Sequence, residues 1–409
     1  MLGLWMWPNS LTGSSAERAF DICSRIGVTD VFFLTKGLSG KCAFKTALAQ
    51  PAAEGRDLLA EAVKAAHARG IRLHAWFTSA QDESYCAAHP DSGVHHFSKG
   101  TSKTVVSIAD PAYARYVRTI IRDMLERYQI DGVHLDYVRY NHLLYGWSDA
   151  DKERYRQRGV DVTRACELVR RTFYGEAADA QAIFEAYRSG DATASALANA
   201  RIMDVTAFAS TLLEGIREMR PDLCLSAALM PEGAYDTVFA NLHYGQSYRE
   251  LSKFFDAILP MAYSGAYGKD ESWVKTAAQG AAAYGAAVLT GLQAYDGGTG
   301  VTLKKDMEAA QSVKGTSGVC LFRYGAFLAA IMQGEMLTLM NLLEKPVTHI
   351  ELSNETQTKR LEKTVAPGES IRIELPFNAN SVRGWSDEQE DCVFTVKTHE
   401  MPLKDKKDT

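Results

Sequence analysis

Residues 130–138, Ile-Asp-Gly-Val-His-Leu-Asp-Tyr-Val, form an almost continuous apolar run that closes on a carboxylate. Such a run is typical of a parallel strand that is covered on both sides. Successive side chains of a strand alternate between its faces, so His134 and Asp136 share one face, whereas Tyr137 lies with the aliphatic residues on the other. We predict that the aliphatic face packs under helices and that His134 and Asp136 point inward. Because isolated charges are rarely buried without a partner or a function, Asp136 is the first candidate for chemistry.

Eight runs of this kind recur along the chain, with helical patterns between them. The runs are Gly3–Trp7, Val28–Leu34, Ile71–Phe77, Ile130–Val138, Leu223–Met230, Phe255–Ala262, Ala286–Leu292 and Ser317–Phe322. The last three begin at a constant step of 31 residues, which is close to the minimum for a strand–helix–strand repeat. No Gly-x-Gly-x-x-Gly follows the first run, which argues against a dinucleotide-binding fold. The pattern therefore predicts an α/β protein built as a closed (β/α)8 TIM barrel.

The predicted barrel occupies residues 1–345 and has a long connection after strand four. We expect residues 141–200 to form a helical insertion there, on the face where barrel active sites are built. The apolar stretch Ala326–Leu343 is interrupted by a Gln-Gly-Glu triplet, and it is predicted to be a core helix rather than a membrane span. Residues 346–409 contain short β-like runs, which predict a small β-rich C-terminal segment. Its charged end, Pro402–Thr409, is predicted to be disordered.

Composition excludes several classes of partner. The 409 residues carry a formal net charge of −5 and no long basic run, so nucleic acid is not an expected partner. The seven cysteines are scattered without a Cys-x-x-Cys pair, and the histidines of residues 89–96 lack convergent carboxylates, so we predict no metal site and no cofactor. The first strand-like run begins at Gly3, which leaves no room for a signal peptide. The chain is therefore expected to be cytoplasmic as it stands, or exported if a signal has been removed.

Cleavage of a glycosidic bond normally needs two carboxyl groups, one on each side of the bond. Asp131 lies about 16 Å from Asp136 along an extended strand, and we assign it a turn or capping role at the opposite end of the barrel. The best partner for Asp136 is Glu232, two residues after the apolar run of strand five. Asp296, after strand seven, is the reserve. The structural alternative for Asp136 is a buried ion pair with Arg139 or with a residue of a neighbouring strand.

Aromatic residues collect at the predicted strand ends, where flat rings with a polar handle suit the apolar faces of sugars. His74 and Trp76 alternate onto one face of strand three, and Arg323 at the end of strand eight is placed to hold a carboxylate or a hydroxyl group. The residues predicted to bind substrate are Trp5, Trp7, His74, Trp76, His134, Arg139, Tyr140, Tyr263, Tyr295, Asp296 and Arg323.

Four motifs at barrel spacing carry a resemblance to a known group. The stretches ARGIRLHAWF (68–77), IDGVHLDYVRY (130–140), LSAALMPEG (225–233) and FDAILPMAYSG (255–265) resemble the glycosyl-hydrolase-like family 10 barrels, also called the domain of unknown function 187 group. The likeness extends over Gly3–Leu343. It implies a hydrolase that acts on O-glycosidic bonds with the strand-four aspartate as a catalytic residue, and some members of the group are linked to bacterial cell-wall glycans.

The strand-four segment is also similar to that of the α-amylase clan. There an aspartate is the nucleophile and a strand-five glutamate is the acid, which implies these roles for Asp136 and Glu232. The chain departs from that pattern because His134 stands where the clan has arginine.

Three hypotheses follow for function. The leading one is a glycoside hydrolase in which Asp136 is the nucleophile or base and Glu232 is the general acid. The second is a non-catalytic carbohydrate-binding barrel that keeps the aromatic cleft. The third is a phosphosugar-processing barrel that binds phosphate at the glycine-rich turn Gly297–Gly300. All three take a carbohydrate as the partner, and none calls for a membrane.

Overall fold

The computed structural model describes residues 1–295, 300–379, 381–386, 389–391 and 393–397. Eight parallel strands close into a barrel, and each strand pairs with the strands before and after it in the chain. The strands are β1 (Leu2–Met6), β2 (Asp30–Lys36), β3 (Arg72–Thr78), β4 (Gly132–Asp136), β5 (Cys224–Leu229), β6 (Ala257–Pro260), β7 (Ala287–Gln293) and β8 (Thr316–Phe322). The circle closes where β8 pairs with β1, so that Leu4 lies opposite Leu321. The predicted (β/α)8 barrel is confirmed.

Helices cover the outside of the barrel. They span Ala16–Arg25, Leu58–His67, Pro111–Arg127, Ala192–Leu213, Ile216–Met219, Tyr248–Leu251, Glu271–Ala282 and Gly300–Gln311. The first begins where the side chain of Ser15 accepts a hydrogen bond from the amide of Arg18, and the third where Asp110 caps two amides. Gly27 and Gly70, with φ of 82° and 67°, turn the chain from a helix into the next strand.

The inside of the barrel is filled by large side chains rather than by solvent. One cluster of buried residues lies within the ring of strands, and it includes Trp5, Phe32, Trp76, Leu259 and Cys320. These rings need space, and Gly291 on β7 provides it: a methyl group added there would lie 2.9 Å from Cη2 of Trp5. The packed interior fills the barrel, so a ligand site is expected at the carboxyl ends of the strands.

We expect Gly291→Ala to lower the free energy of unfolding by about 1–3 kcal/mol, because the methyl group would overpack Trp5 and the carbonyl oxygen of Pro260. Urea unfolding measures the change. Gly13→Ala is the matched control, since an added methyl group meets nothing there, and we expect a change of no more than ~0.5 kcal/mol. Equally small changes in both variants would contradict the tight contact with Trp5.

The insertion after β4 has a core of its own. Its helices span Asp149–Gln157, Val162–Tyr174 and Ala182–Arg188, followed by the first half of Ala192–Leu213. Buried residues such as Trp147, Leu168 and Ile183 pack together there, apart from the main core. The helical insertion predicted for residues 141–200 is therefore observed.

One buried arginine ties the insertion to the barrel. The guanidinium of Arg201 donates hydrogen bonds to the carbonyl oxygens of His142, Tyr145 and His243, at 2.9–3.1 Å. Asp204, one helical turn later, accepts hydrogen bonds from the hydroxyl of Tyr140 and from arginines of the insertion. Buried backbone oxygens of two separate segments are thus satisfied by one side chain, which holds the segments in register.

Smaller elements lie at the carboxyl ends of the strands. The β3 connection contains a helix and a two-stranded ribbon, and short helices follow β5 and β6. These elements span Glu83–Ala88, Gly93–His96, Gly100–Val106, Glu232–Tyr235, Thr237–His243 and Ser264–Tyr267. Three 3-10 turns, Pro8–Leu11, Pro90–Ser92 and Ala177–Asp179, complete the elements before the C-terminal sheets.

A buried ion pair joins the connections after β2 and β3. The Lys36 ammonium lies 2.9 Å from Oδ2 of Asp82, and both side chains are at most 1% exposed. The ammonium also donates to the carbonyl oxygen of Gln81 at 2.9 Å. Gly40, with φ of 83°, passes so close to Asp82 that an added methyl group would overlap its carboxylate. The pair therefore fixes two loops at the barrel mouth.

The C-terminal part forms two four-stranded sheets. Its strands are β9 (Leu328–Gln333), β10 (Met336–Asn341), β11 (Val347–Ser353), β12 (Thr358–Val365), β13 (Ser370–Glu374), β14 (Ser381–Ser386), β15 (Gln389–Asp391) and β16 (Val393–Lys397). The first sheet has the order β13-β10-β9-β16 and the second β12-β11-β14-β15. The β-rich C-terminal part is confirmed, and it begins before the predicted boundary at Lys345. The tail Pro402–Thr409, predicted to be disordered, lies outside the described residues.

The helix predicted over Ala326–Leu343 is wrong, because β9 and β10 form a hairpin there. Gly334, with φ of 57°, makes the turn between the two strands. Ala329 and Ile331 join the core of the barrel, whereas Ala330 packs into the core between the two sheets. Burial on both faces produces a continuous apolar run that the sequence pattern does not distinguish from a buried helix. No helix in the described part of the chain is both long and apolar enough to cross a membrane.

Candidate active site

Asp136 ends β4 at the mouth of the barrel and is only 6% exposed. Its Oδ2 accepts a hydrogen bond from the indole Nε1 of Trp76 at 3.2 Å, and its Oδ1 accepts one from the amide of Tyr137 at 2.7 Å. Trp76 reaches it because β3 pairs with β4 in a register that sets Thr78 opposite Asp136. Two donors therefore fix the carboxylate, and no ion pair is formed with Arg139.

The backbone turns sharply directly after this carboxylate. Tyr137 has φ of 55°, and it is the only non-glycine residue of positive φ among the described residues. Bulky residues rarely adopt this conformation, and when they do the position is often functional. The strand alternation predicted through Val138 therefore ends at Asp136. Tyr137 packs against the main core, as predicted for its face of the strand, and it also lines the cavity beside Asp136.

Burial raises the pKa of Asp136 to about 6. The positive charge of Arg139 and the two hydrogen bonds that the carboxylate accepts oppose this rise, but they do not cancel it. Loss of water therefore dominates, as it does for carboxyl groups in apolar pockets. A carboxyl group with a pKa near neutrality can hold or release a proton under ordinary conditions, which is what acid–base catalysis requires.

A cavity of about 170 Å³ opens beside Asp136 at the carboxyl ends of the strands. Its walls are mostly aromatic and apolar, with a few polar groups among them. The lining residues are Trp5, Trp7, Leu34, Leu38, Trp76, Thr78, Asp136, Tyr137, Arg139, Ala228, Met261, Tyr263 and Phe322. Apolar walls with few convergent polar groups are the usual composition of a small-molecule site.

Four of the predicted aromatic residues meet in this cavity: Trp5, Trp7, Trp76 and Tyr263. They are arranged around Phe322, whose ring centroid lies 5.6–6.3 Å from theirs. Tyr295 joins the same cluster, 6.0 Å from Tyr263. The next residue, the reserve carboxylate Asp296, lies outside the described residues, as do positions 297–299 of the glycine-rich turn Gly297–Gly300.

His74 and His134 are not brought to the cavity, although both point into the barrel as predicted. Nε2 of His74 lies 2.9 Å from Oδ1 of Asp30, which belongs to the amino end of β2. His134 is fully buried between Ser226 and Trp5 and accepts a hydrogen bond from the Trp5 indole. Burial also lowers its pKa well below the usual value, so the ring is neutral. Both histidines therefore belong to the barrel core and not to the predicted substrate-binding set.

Tyr140 and Arg323 are also placed elsewhere. Tyr140 is buried where the insertion packs on the barrel, and the guanidinium carbon of Arg201 lies 3.8 Å from the centroid of the Tyr140 ring. Arg323 pairs with Glu344 at 2.8 Å and stacks 3.5 Å above the ring of Trp7. It therefore supports a cavity residue from behind, and does not line the cavity itself. In the described chain, no group of three or more His, Cys, Asp or Glu side chains is arranged to hold a metal ion.

Glu232 opens the short helix after β5 and lies outside the wall of the Asp136 cavity. Its Oε1 accepts a hydrogen bond from the hydroxyl of Tyr267 at 3.2 Å, and its Oε2 is buried without a partner. Burial raises its pKa, and the charge of Arg139 opposes the rise. Arg139 thus acts on both carboxyl groups, which places its charge near each of them. At the opposite end of the barrel, the carboxylate of Asp131 accepts a hydrogen bond from the amide of Leu73, in the capping role predicted for it.

Sequence reasoning missed several residues of the site. Phe322 is the hub of the aromatic cluster, and Thr78 lies beside Asp136. The alternation of β3 could have indicated Thr78, because it shares a face with Trp76. Tyr267, the partner of Glu232, lies in a short helix after β6 and carried no local signal.

The fold and the cavity define a class: a (β/α)8 barrel that holds a buried strand-four carboxylate in an aromatic pocket at the carboxyl ends of its strands. The family model described as glycosyl hydrolase-like 10 matches residues 40–282, more than half of the sequence, and the chain belongs to this family. The resemblance stated from the sequence motifs is thereby confirmed.

Solved structures share the fold at low sequence identity. The PgaB (BpsB) glycoside hydrolase domain from Bordetella bronchiseptica is 14% identical with a TM-score of 0.60, over 79% of this chain and 93% of that one. A β-galactosidase from Marinomonas ef1 is 13% identical with a TM-score of 0.56, over 79% of this chain and 54% of that one. An α-L-fucosidase from Paenibacillus thiaminolyticus is 15% identical with a TM-score of 0.55, over 76% and 43%. A comparison with curated proteins gives no match.

Proposed function

We propose that the protein is a glycoside hydrolase that cleaves O-glycosidic bonds of a glycan or oligosaccharide, with Asp136 and Glu232 as its two carboxyl groups. The observation that carries the proposal is the state of Asp136: a carboxylate that is buried, has no ion-pair partner among the described residues, and lines an aromatic cavity at the barrel mouth. Burying such a group is costly, so its place in a cavity is best explained by chemistry.

In this proposal the two carboxyl groups divide the work. Glu232 donates a proton to the oxygen of the leaving sugar as the bond to the anomeric carbon breaks. In the same step Asp136 either accepts a proton from the water that attacks that carbon, or attacks the carbon itself to form an ester, which water then hydrolyses while Glu232 takes up the proton of that water. The aromatic wall formed by Trp7, Trp76 and Tyr263 holds the apolar face of the sugar ring, and it excludes water other than the reacting molecule.

Incubation with a panel of bacterial and plant glycans, with products detected by mass, tests the proposal. We expect at least one glycan to be shortened by one or more sugar units. The partner-free, buried Oε2 of Glu232, outside the cavity wall, favours one other candidate: a barrel that binds carbohydrate without cleaving it. Binding of a glycan in the panel without any product would support that candidate over hydrolysis.

The pH dependence tests the division of roles. If Asp136 acts in its ionised form, kcat/KM should rise with pH through about 6, the pKa to which burial raises this carboxyl group, instead of near 4. Loss of the Glu232 proton should lower kcat/KM in a second limb, and burial moves the midpoint of that limb above the ordinary pKa of a glutamate.

Glu232→Gln provides the matched control for this profile. It should remove the limb that deprotonation of Glu232 produces and keep the rise near 6. A wild-type kcat/KM that decreases with pH through about 6 would instead make Asp136 the acid, and it would exchange the two roles.

A further inference from the structure

Arg139 contributes the one positive charge in the wall of the cavity that the structure describes. It follows Asp136 by three residues on the segment that leaves β4, and its side chain is half-buried. The charge lies close enough to oppose the rise in the pKa of Asp136, yet no ion pair joins the two side chains. Arg139 therefore lines the cavity, and its guanidinium is not held in an ion pair by the carboxylate beside it.

The hydrogen-bonding capacity of Arg139 is almost unused. Its Nη1 makes one long contact, at 3.4 Å, with the carbonyl oxygen of Tyr140, and its buried Nε has no partner. None of the described carboxylates forms an ion pair with it. A guanidinium carries a fork of five N–H donors, so most of them are left unused by the described part of the chain. Among them the buried Nε departs from the rule that buried donors are paired, because leaving such a donor unpaired costs free energy.

Two aromatic rings fix the orientation of this side chain. The guanidinium carbon lies 4.9 Å from the ring centroid of Tyr137 and 5.6 Å from that of Tyr244. The left-handed backbone at Tyr137 puts the first of these rings in place. Stacking of this kind holds the plane of the guanidinium and leaves its edge for a ligand. The fork is therefore organised before any ligand arrives.

We propose that the substrate is an acidic glycan, in which the sugar residue beside Asp136 carries a carboxylate or sulfate group that Arg139 binds. The inference rests on the proposed function, because it takes this cavity as the site of the glycan. A planar fork of N–H donors matches two oxygens of an oxyanion. A neutral sugar would leave the charge unpaired, and an amino sugar would be repelled by it. The aromatic walls would hold the apolar face of the same ring.

Calorimetric titration of the Asp136→Asn variant tests the inference without turnover. The probes are matched methyl glycosides: glucuronide against glucoside, galacturonide against galactoside, and galactoside 6-sulfate against galactoside. We expect at least one acidic member to bind about tenfold or more tightly than its neutral partner, since a charge-assisted bidentate contact is gained. A preference for the sulfate alone would identify the anion as sulfate, and a preference for the uronates would identify it as carboxylate. Equal affinities, or no binding by any acidic member, would overturn the inference.

Variants at Arg139, made in the same Asp136→Asn background, test whether the guanidinium of Arg139 causes the preference for acidic glycosides. Arg139→Gln should abolish the preference for the acidic sugar, and Arg139→Lys should retain only part of it, because lysine keeps the charge and loses the bidentate geometry. Arg217→Gln is the control: this arginine binds Asp256 and the carbonyl oxygen of Leu223 at the opposite end of the barrel, so the variant removes the same charge away from the cavity. A preference that persists in Arg139→Gln, or that Arg217→Gln also removes, would contradict the assignment.

The two proposals can fail separately. If the wild-type protein cleaves only neutral glycans, the acidic-substrate inference is wrong and the hydrolase proposal stands. If acidic glycosides bind through Arg139 and no glycan is cleaved, the hydrolase proposal fails and the recognition of acidic sugars stands.

Discussion

Replacement of Asp136 by asparagine is expected to lower kcat at least ~1,000-fold on any glycan that the wild-type protein cleaves. The substitution keeps the size of the side chain but removes the charge and the proton-accepting oxygen on which both candidate roles depend. A loss of this size corresponds to roughly 4 kcal/mol of transition-state stabilisation. Initial rates with one cleaved substrate measure it. Near-wild-type turnover in the variant would remove Asp136 from the mechanism.

The stability of the same variant separates chemistry from folding. Burial raises the pKa of Asp136 from its ordinary value to about 6, so the folded state binds this proton more tightly than the unfolded chain does. Stability from this group is therefore present at low pH and lost as pH rises through about 6, at a cost of up to about 3 kcal/mol. Asparagine has no such ionisation. Asp136→Asn should thus be at least as stable as the wild type at pH 7, with the advantage reduced at pH 4, as urea unfolding at both pH values will show.

Lys36→Met should lower the free energy of unfolding by about 3–5 kcal/mol. The substitution removes the cation from a fully buried ion pair and leaves the Asp82 carboxylate uncompensated in a dry environment. Denaturant unfolding at neutral pH measures this loss. The single variant Asp82→Asn should also be destabilised, because it leaves the buried ammonium without its partner.

The double variant Lys36→Met with Asp82→Asn is the informative comparison. It contains no buried charge, and asparagine can still accept the hydrogen bond from the amide of Tyr85 that caps the following helix. We expect it to be more stable than the sum of the two single changes allows, by at least ~1 kcal/mol. Strictly additive losses would show that the two side chains contribute independently, against the structure.

The barrel could be predicted from the sequence because its strands are buried on both sides. Continuous apolar runs at a constant step fix both the type of element and the order of pairing. The same reasoning located Asp136, since a carboxylate at the end of a buried strand is an exception that requires a cause. It also located Trp5, Trp7, Trp76 and Tyr263, which share strand ends and therefore meet at one face.

The errors have three physical origins. The apolar run at residues 328–341 is buried on both faces of a hairpin, so periodicity alone did not separate strand from helix. At Tyr137 a left-handed backbone breaks the alternation, and no propensity rule anticipates a tyrosine in that conformation. His74 and Tyr140 show the third. Each side chain is buried and hydrogen-bonded to a buried carboxylate, Asp30 or Asp204, so it is not available to a substrate.

The separate core of the insertion has a consequence for how this barrel can diversify. Its helices are stabilised by their own apolar contacts, and Arg201 and Asp204 are polar anchors that join them to the barrel. Substitutions on the outer helices can therefore accumulate without disturbing the strands that carry the reacting groups. Substitutions of Arg201 or Asp204 would disturb the barrel, because each of these side chains satisfies several buried groups at once. The insertion can therefore be exchanged for another sequence, in evolution or by design, provided that Arg201 and Asp204 are kept.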